Sequence, residues 1–528
     1  MNNLEVFVTN ISATIKLLLR RTLQHLVLYS TIIKHRLSFS IGVTAKLPFR
    51  GWGNRGMKKI IVKTEVKKML ADMYTPVGIY LRLRDRFRDT VLLESTDNHA
   101  VENSYSFICI NAIAGIEVQD KKSIEFKFPG QAPKKETLKG NEKLPAIIWE
   151  FMQNFQTETT DAKAAAFAQG LYGYFTFDAI ELFETIELTK PNNIDSSIPL
   201  ARYRLYQYII AINHFKDELT LCENKIDGIE SELNIVEGIL KSKDVPVYPF
   251  KQQVEEERNM SDDAYMEMVQ KGIKNCLRGD VFQIVLSRRY QRSFIGDEIN
   301  VYRALRSINP SPYLFFFDYG DYKLIGSSPE SQLIIRDGKA IVHPIAGTFR
   351  RTGDDETDQQ LAEDLMQDPK ENAEHVMLVD LARNDLSTVC SEVKVSQYRK
   401  PHFYSHVIHL VSEVTGKVPA NTNPFEVLMR NYPAGTLSGA PKYRAMQLID
   451  EHEPTQRGYY SGTLGFVGFD GSCNHAIMIR TFLSKNNTLY YQAGAGIVAA
   501  SKPESELKEV ENKLNALKMA LVMAESIN

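Results

Sequence analysis

Two pairs of glutamates, each in a segment with helical spacing, are the residues of this 528-residue chain whose types and positions first suggest chemistry. Glu371 and Glu374 lie three residues apart in "KENAEHVMLVDLARNDL", and Glu506 and Glu509 do so in "SKPESELKEVENKLNAL". Residues at i and i+3 are neighbours on a helix, so each pair places two like charges side by side. Mg²⁺ takes such carboxylate oxygens together with water. Each pair therefore predicts either a set of magnesium ligands or a solvated acidic face, and the spacing leaves both open.

Other residues could act on an anionic substrate. Glu330 follows the turn "GSSP", and a carboxyl buried there would have a raised pKa and could serve as a general acid. Arg480, in "HAIMIRTF", suits bidentate carboxylate binding, although a surface arginine would fit the same pattern. His409, in the alternating stretch "HVIHLVSEV", should point inward from a strand, as a core histidine or as an active group. Gly494 and Gly496, in "GAG", expose backbone N–H groups that can bind an anion.

The segment "NYPAGTLSGAPK" places Thr436 among small residues before a helix. It lacks the GxxxxGK[ST] order of a phosphate-binding P-loop, so that function is excluded. The segment could hold a carboxylate, and it could equally be an ordinary loop.

Strand and helix patterns are mixed in the elements that must position these residues, which predicts an α+β (mixed α/β) fold. Residues 57 to about 223 alternate the two patterns, and the charged stretch 223–260 is predicted to be a linker. A second region, 258–525, opens with a helix capped by Ser261 and ended by Gly279. A helical pattern covers about 358–382. Ser501 and Glu504 predict a capping box at the start of the last helix, with Pro503 in its first turn.

The composition, with 43% hydrophobic residues and a formal net charge of −2, is that of an ordinary globular protein and argues against a nucleic-acid partner. No stretch reaches the about 18 apolar residues of a membrane-spanning helix. The five cysteines form no CxxC pair, which fits a cytoplasmic location.

Residues 1–56 carry eight Lys and Arg but only one acid, Glu5. This composition is typical either of a transit peptide or of an extension ahead of the true start at Met57. We expect this segment to be poorly ordered.

A longer series of segments carries a family resemblance over roughly residues 75–528. The segments, in chain order, are "LLES", "NPSPY", "GSSPE", "PIAGTFRR", "AEHVMLVDLARNDL", "HVIHLVSEVTG", "YPAGTLSGAPK", "RGYYSGTLGFVGFDG", "IRTF" and "QAGAGIVAASKPESE". Together they resemble the chorismate-utilising enzymes, most closely the component I family of anthranilate synthases. The resemblance implies a two-layered β-sheet sandwich wrapped by helices, with a regulatory region at 57–250 and a catalytic, chorismate-binding domain at 258–525.

The resemblance also implies a metal site. Glu374 and Glu509 would hold Mg²⁺, with Glu371 and Glu506 close behind through waters, and the ion would bind the ring carboxylate of chorismate. His375 would be structural or would support these ligands.

Catalytic and substrate-binding residues follow from the same resemblance. Glu330 would protonate the departing ring hydroxyl, with His409 beside it. The two substrate carboxylates would be bound by a set of polar side chains and backbone amides, namely Thr436, Tyr460, Arg480, Gly494 and Gly496. Ammonia would add to the ring, and loss of the hydroxyl and of pyruvate would leave the aromatic amine.

Two positions separate the chain from relatives with other reactions. Gln283 stands where the isochorismate and salicylate synthases, which attack with water, carry a lysine. Ala346 stands where aminodeoxychorismate synthases commonly carry a lysine. The resemblance therefore favours ammonia addition followed by pyruvate loss. The alternatives are component I of aminodeoxychorismate synthase and a regulatory subunit that binds chorismate or tryptophan without catalysis.

Two partners are implied. Tryptophan would inhibit at a separate site formed by Glu94, Ser95, Pro312 and Tyr313. None of the cysteines sits in a GxCxG nucleophile elbow, so the chain should not release ammonia from glutamine itself. We therefore expect a hetero-oligomer with a glutamine amidotransferase subunit.

Overall fold

The computed structural model describes residues 59–95, 104–140, 143–192, 194–253, 255–403 and 407–527. The predictions for residues 1–56 lie outside these ranges. None of the helices within them combines the length and the apolar character that crossing a bilayer requires.

Twenty-four strands alternate with helices along the described chain. The strands of the first region are β1 (Ile60–Leu70), β2 (Thr90–Glu94), β3 (Tyr105–Val118), β4 (Ser123–Lys127), β5 (Lys134–Thr137), β6 (Phe155–Thr159), β7 (Gly170–Phe175), β8 (Ala201–Asn213) and β9 (Glu218–Lys225). The remaining strands are β10 (Phe250–Gln252), β11 (Glu257–Arg258), β12 (Gln283–Gly296), β13 (Tyr313–Asp318), β14 (Tyr322–Ser328), β15 (Ser331–Arg336), β16 (Lys339–Val342), β17 (Ile345–Arg350), β18 (Ser391–Phe403), β19 (Val407–Lys417), β20 (Gly439–Ala440), β21 (Thr463–Gly468), β22 (Cys473–Ile477), β23 (Thr481–Lys485) and β24 (Thr488–Ile497).

The α-helices lie mostly between strands of the second region. They are α1 (Pro76–Leu83), α2 (Leu144–Met152), α3 (Ala162–Ala165), α4 (Leu233–Leu240), α5 (Asp262–Arg278), α6 (Ile299–Ile308), α7 (Asp355–Gln367), α8 (Pro369–Ser387), α9 (Pro424–Arg430), α10 (Gly435–Ser438), α11 (Lys442–His452) and α12 (Pro503–Ala524).

Two sheets are built from these strands. The first has the order β6–β1–β9–β8–β3–β2–β13–β14–β23–β24–β12, and within it only β6 and β1 run parallel. The second has the order β5–β4–β3–β8–β7–β21–β22–β15–β16–β19–β18. Strands β3 and β8 belong to both sheets, because residues 201–204 of β8 pair with β7 and its later residues pair with β9.

The sheets pack face to face, and helices cover their outer faces. One buried cluster contains side chains from both sheets, including Tyr174, Phe317, Leu464 and Leu483. A second cluster packs the helices α1, α5, α6 and α12 on the first sheet, and a third packs α2, α8 and α9 on the second. Strand β8 is buried along almost its whole length, as a strand covered on both faces must be. The predicted α+β sandwich wrapped by helices is confirmed.

The regions 57–250 and 258–525 share both sheets. Strand β2 pairs with β13, and β7 pairs with β21. The assignment of these regions as separate domains stays a prediction, but neither sheet is complete without strands from both.

Local signals predicted some helix ends and missed others. Ser261 Oγ accepts a hydrogen bond from the backbone of Ala264, and Gly279 ends α5 at φ 82°, as expected. The single helix expected at 358–382 is two helices, because Asp368, ahead of Pro369, is extended with ψ 118°. The capping box is also wrong, since Ser501 Oγ instead accepts from the backbone of Val498. The predicted linker contains α4, β10 and β11.

Candidate active site

Glu330 occupies the turn between β14 and β15, where its carboxyl meets the short helix α10. Thr436 Oγ1 donates to Glu330 Oε1 at 2.8 Å. Burial raises the pKa of Glu330 from 4.5 to about 7, although Thr436, Lys513 and Arg480 oppose the rise. A hydroxyl donor that meets a carboxyl of near-neutral pKa can support proton transfer at pH 7, as the sequence predicted for Glu330.

Arg480 is held between β22 and β23 in a conformation that arginine rarely adopts. Its φ is 49°, in the left-handed region, and its backbone carbonyl accepts from Ser327 N–H at 3.2 Å. Nη1 donates to Asn309 Oδ1 at 3.1 Å. Burial lowers the pKa of Arg480, and the nearby Glu330 carboxyl opposes that shift. A guanidinium has five N–H donors, so the Asn309 contact leaves the capacity to bind a carboxylate.

His409 points inward from β19, as expected, and is 8% exposed. Its Nδ1 lies 2.8 Å from the carbonyl oxygen of Gly347. A carbonyl can only accept, so Nδ1 carries the hydrogen and Nε2 is the acceptor of the neutral ring. Burial lowers the pKa of His409, which keeps the ring neutral, and the neighbouring Arg480 lowers it further.

Gly494 and Gly496 lie in β24, opposite Ser287 and Val285 of β12. A Cβ added to Gly494 would lie 2.9 Å from the carbonyl oxygen of Leu286 and 3.1 Å from Tyr460 Oη. A Cβ added to Gly496 would lie 2.3 Å from Gln283 Nε2. A side chain at position 494 would therefore press on the backbone of β12, whereas a side chain at position 496 would displace the amide end of Gln283.

Tyr460 is buried, with 3% of its surface exposed. Burial raises the pKa of Tyr460, and the nearby backbone of Gly494 opposes the rise only weakly. The phenol thus remains a neutral donor at the edge of the glycine strand.

The two acidic pairs border this same strand from different helices. Glu374, on α8, accepts from Gln283 Nε2 at 3.3 Å, and that amide lies against Gly496. Glu509, on α12, pairs with Lys513 at 2.7 Å, and Lys513 Nζ donates to the carbonyl oxygen of Gly494 at 2.9 Å. Gln283 thus connects Glu374 to Gly496, and Lys513 connects Glu509 to Gly494. The two glycines lie two residues apart in β24.

Glu371, the second acid of its pair, is also close to a predicted site residue, and Glu506 is buried. A Cβ at Gly347, whose carbonyl binds His409, would lie 3.2 Å from Glu371 Oε2. Glu506 is 7% exposed at the start of α12.

Magnesium would find oxygen donors here from one or two carboxylates, although no larger cluster of ligands is present in the described ranges. Within those ranges, no group of three or more His, Cys, Asp or Glu side chains is arranged to hold a metal ion. Mg²⁺, however, uses one or two protein carboxylates and fills its octahedron with water and substrate oxygens. Gln283 Oε1, on the amide that contacts Glu374, is buried, has no hydrogen-bond partner among the described residues, and could accept from a metal-bound water. The donor set fits Mg²⁺.

His375 is fully buried on α8, where its Nε2 lies 2.6 Å from Ser412 Oγ of β19. Burial lowers its pKa to about 4, so the ring is neutral at pH 7. Its contacts match the structural role suggested by the sequence.

Sequence reasoning missed two residues of the site. Lys513 touches Glu509 and Gly494, and its spacing of four from Glu509 was a signal that could have been used. Asn309, the partner of Arg480, lies in "NPSPY" but has no local feature that indicates this contact.

The residues predicted to bind tryptophan lie at one end of the pair β2–β13, where Glu94 is opposite Leu314. Glu94 Oε1 accepts from Tyr302 Oη at 2.6 Å and from Arg306 Nε at 2.9 Å. Ser95 follows Glu94, and Tyr313, next to Pro312, donates to Asn474 Oδ1 at 3.2 Å. The structure therefore brings these four residues to one place.

Comparisons with known proteins agree with this geometry. The family model described as chorismate binding enzyme matches residues 102–519. Anthranilate synthase component 1 of Aquifex aeolicus is 36% identical over 481 residues, covering 87% of this chain and 94% of that protein. The protein of the same name from Thermus thermophilus is 36% identical over 474 residues, covering 87% and 98%. The crystal structure of anthranilate synthase component I from Streptococcus pneumoniae superposes with a TM-score of 0.67 at 29% identity, covering 86% of this chain and 99% of that one.

The match spans most of the chain, and it includes both acidic pairs, the strands around Glu330 and His409, and the glycine strand. The chain belongs to the family of chorismate-binding enzymes, among the component 1 proteins of anthranilate synthase.

Proposed function

We propose that this chain is the subunit that converts chorismate and ammonia to anthranilate and pyruvate, the first step of tryptophan biosynthesis. The observation that carries the proposal is the Glu330 carboxyl, with its pKa of about 7, hydrogen-bonded by Thr436 and close to the Arg480 guanidinium. Such a group can give a proton to a departing hydroxyl at neutral pH while a positive charge beside it binds the dianionic substrate.

Arg480 and Tyr460 bind the enolpyruvyl carboxylate in this proposal. The guanidinium supplies paired N–H donors, and the neutral phenol supplies a further one. The backbone near Gly494 and Gly496, with Thr436, receives the ring carboxylate. The absence of Cβ atoms leaves room for Tyr460 Oη beside Gly494 and for Gln283 Nε2 beside Gly496, two polar groups that border the same strand.

Glu330 supplies a proton to the departing hydroxyl, and His409 orients that group. Ammonia forms a bond to the ring carbon beside the carboxylate-bearing carbon, and the ring hydroxyl leaves as water with the Glu330 proton. His409 Nε2, the acceptor of a neutral ring, orients the departing group. Loss of the proton at the aminated carbon forms the aromatic ring as the bond to the enolpyruvyl oxygen breaks; the released enolpyruvate takes up that proton equivalent to become pyruvate, and anthranilate remains.

Magnesium would be held by Glu374 and Glu509, with Glu371 and Glu506 contacting it through water. When bound, it supplies Lewis-acid polarisation of the ring carboxylate. Gln283 orients a water or the ammonia nucleophile through its unpartnered amide oxygen.

Ammonia would come from a separate glutamine amidotransferase subunit, component II. The five cysteines of the described ranges are free, and burial raises the pKa of the thiols of Cys109, Cys222, Cys276, Cys390 and Cys473. Thiols of raised pKa are poor nucleophiles, so none of them suits glutamine hydrolysis.

Tryptophan inhibition at the Glu94 site and a cytoplasmic location stay predictions.

One assay tests the proposed reaction against its alternatives. The chain is incubated with chorismate, Mg²⁺ and ammonium, and anthranilate is read by its fluorescence. We expect product without added lyase. Product that appears only after a lyase is added would indicate an aminodeoxychorismate synthase. Absence of turnover with tryptophan binding in a calorimeter would indicate a regulatory subunit.

A further inference from the structure

A buried ion pair lies behind the site, between residues that no substrate contact requires. The side chains of Arg457 and Glu453 are 1% and 4% exposed. Arg457 Nη2 donates to Glu453 Oε1 at 2.6 Å, and its Nε donates to Oε2 at 3.0 Å. Replacement of such a pair by apolar side chains is often neutral or stabilising. Stability therefore does not explain it, and its remaining hydrogen bonds become informative.

Arg457 uses its other donors on two separate segments of the site. Nη1 donates to the carbonyl oxygen of Leu437 at 2.7 Å, and Leu437 follows Thr436 in α10. Nη2 donates to the carbonyl oxygen of Val285 at 2.7 Å, and Val285 is opposite Gly496 in the β12–β24 ladder. One planar group thus sets the distance between the Thr436 helix and the glycine strand.

Glu453 holds the same ladder two pairs further along. Its Oε1 accepts from the backbone N–H of Ser287 at 2.8 Å and from Ser287 Oγ at 2.7 Å. Ser287 is opposite Gly494. The two members of the ion pair therefore each fix one of the two ladder positions that face the glycines.

A third segment is held through Tyr460. The Arg457 guanidinium lies 5.6 Å from the centroid of the Tyr460 ring. Its Nη1 also lies 3.4 Å from Ser461 Oγ, and Ser461 has a φ of 64°, which serine rarely adopts. The contacts of Arg457 with Tyr460 and Ser461 therefore help to hold this turn in its unusual backbone conformation.

We propose that Arg457 and Glu453 are positioning residues that fix Thr436, Tyr460 and the glycine strand relative to one another, so that both carboxylates of chorismate are bound at once. This inference rests on the proposed function. Neither residue touches the reacting atoms, and their effect reaches the substrate through backbone carbonyls and amides.

Arg457→Lys tests the inference, because a lysine ammonium can keep the charge but cannot reach Glu453, Leu437 and Val285 with one rigid fork. We expect the KM for chorismate to rise at least tenfold, while the KM for ammonium changes less than twofold. The matched control is Arg84→Lys, at a second buried pair in which Arg84 donates to Asp297 and the side chains are 9% and 10% exposed. This control should lose thermal stability and keep both KM values.

An unchanged KM for chorismate in Arg457→Lys, at the same loss of Tm as the control, would overturn the inference. If Arg457→Lys does not fold, Glu453→Gln, which keeps the side-chain shape, is used instead and should raise the KM for chorismate at least threefold.

If the wild type makes no anthranilate, the proposed function has failed. Chorismate affinity, measured by calorimetry with Mg²⁺, then replaces KM as the test. Equal affinity in the wild type and both Arg457 and Glu453 variants would then refute the positioning role.

Discussion

Glu330→Gln should stabilise the folded chain at alkaline pH while it removes most of its activity. Burial raises the pKa of Glu330 from 4.5 to about 7, so the folded state keeps the proton over a range where the unfolded state has lost it. In that range the unfolded state binds fewer protons, and stability falls as pH rises toward the folded pKa. Above the folded pKa both states are ionised and the dependence ends. Glutamine is neutral throughout and escapes this loss.

The size of the effect follows from the shift. At about pH 5.5 the unfolded Glu330 is already mostly ionised, whereas the folded one is still protonated up to its pKa of about 7. Over these about 1.5 pH units the wild type loses about 1.4 kcal/mol of unfolding free energy per unit, or about 2 kcal/mol in all. The difference in unfolding free energy between Glu330→Gln and the wild type should therefore grow by up to about 2 kcal/mol from about pH 5.5 to 8.5. Solvent near this half-buried residue reduces the figure, and its sign stays the same. Denaturant unfolding at several pH values measures it.

Turnover should change in the opposite direction. Loss of a general acid lowers kcat/KM by about 10²- to 10⁴-fold. The wild-type kcat/KM should fall as pH rises through about 7, and the residual activity of Glu330→Gln should not show this step. Asp178→Asn is a useful comparison, since burial also raises the pKa of Asp178 to about 7. That variant should keep the wild-type pH dependence of kcat/KM. Wild-type turnover by Glu330→Gln, or a pH-independent stability difference, would refute the reasoning.

Three further substitutions test other parts of the site. Glu374→Gln should lower Mg²⁺-dependent anthranilate formation by about 100-fold or more while circular dichroism stays unchanged, whereas Glu392→Gln, on the exposed surface, should keep full activity. Gly496→Ala would place a Cβ 2.3 Å from Gln283 Nε2, and the resulting strain should lower kcat/KM for chorismate by about tenfold; an unaffected value would contradict the close-approach argument. Glu94→Gln should raise the tryptophan concentration for half-inhibition by about tenfold, and unaltered inhibition would exclude an amine–carboxylate contact there.

Elements whose signals are local could be predicted from the sequence. The side chain of Ser261 and the left-handed Gly279 define the ends of α5 within the helix itself, and the β-branched and aromatic run of β8 needs no distant information. Where a local pattern failed, a competing local contact explains it. Ser501 has the type required of a helix cap, but its hydroxyl binds the preceding turn at Val498, so α12 begins without a side-chain cap.

The candidate site residues also differ in whether a local sequence feature indicates them. Glu330 could be proposed as a site residue because a carboxyl after a tight turn at a strand end is a local feature, and its burial in the structure gives the expected rise in pKa. Asn309 and Arg457 were not found, because each acts on residues far away in the chain. Asn309 meets Arg480 171 positions later, and Arg457 meets Val285 172 positions earlier. Such contacts depend on how the sheets close, and spacing does not encode that.

The distribution of charge in the buried network explains why the site needs these distant contacts. In the proposed function, chorismate would bring two carboxylates into a region that already contains Glu330, Glu374 and Glu509, and like charges at short range repel strongly where water is scarce. Binding then requires donors that cannot move away from the substrate: a guanidinium held by Asn309 and backbone amides of a strand locked from behind by Arg457. Flexible donors would reorient toward the protein's own acids, whereas backbone groups fixed by a buried ion pair cannot. Catalysis of this kind is preorganised electrostatics, and the residues that fix the donors should therefore affect substrate binding as strongly as the donors themselves.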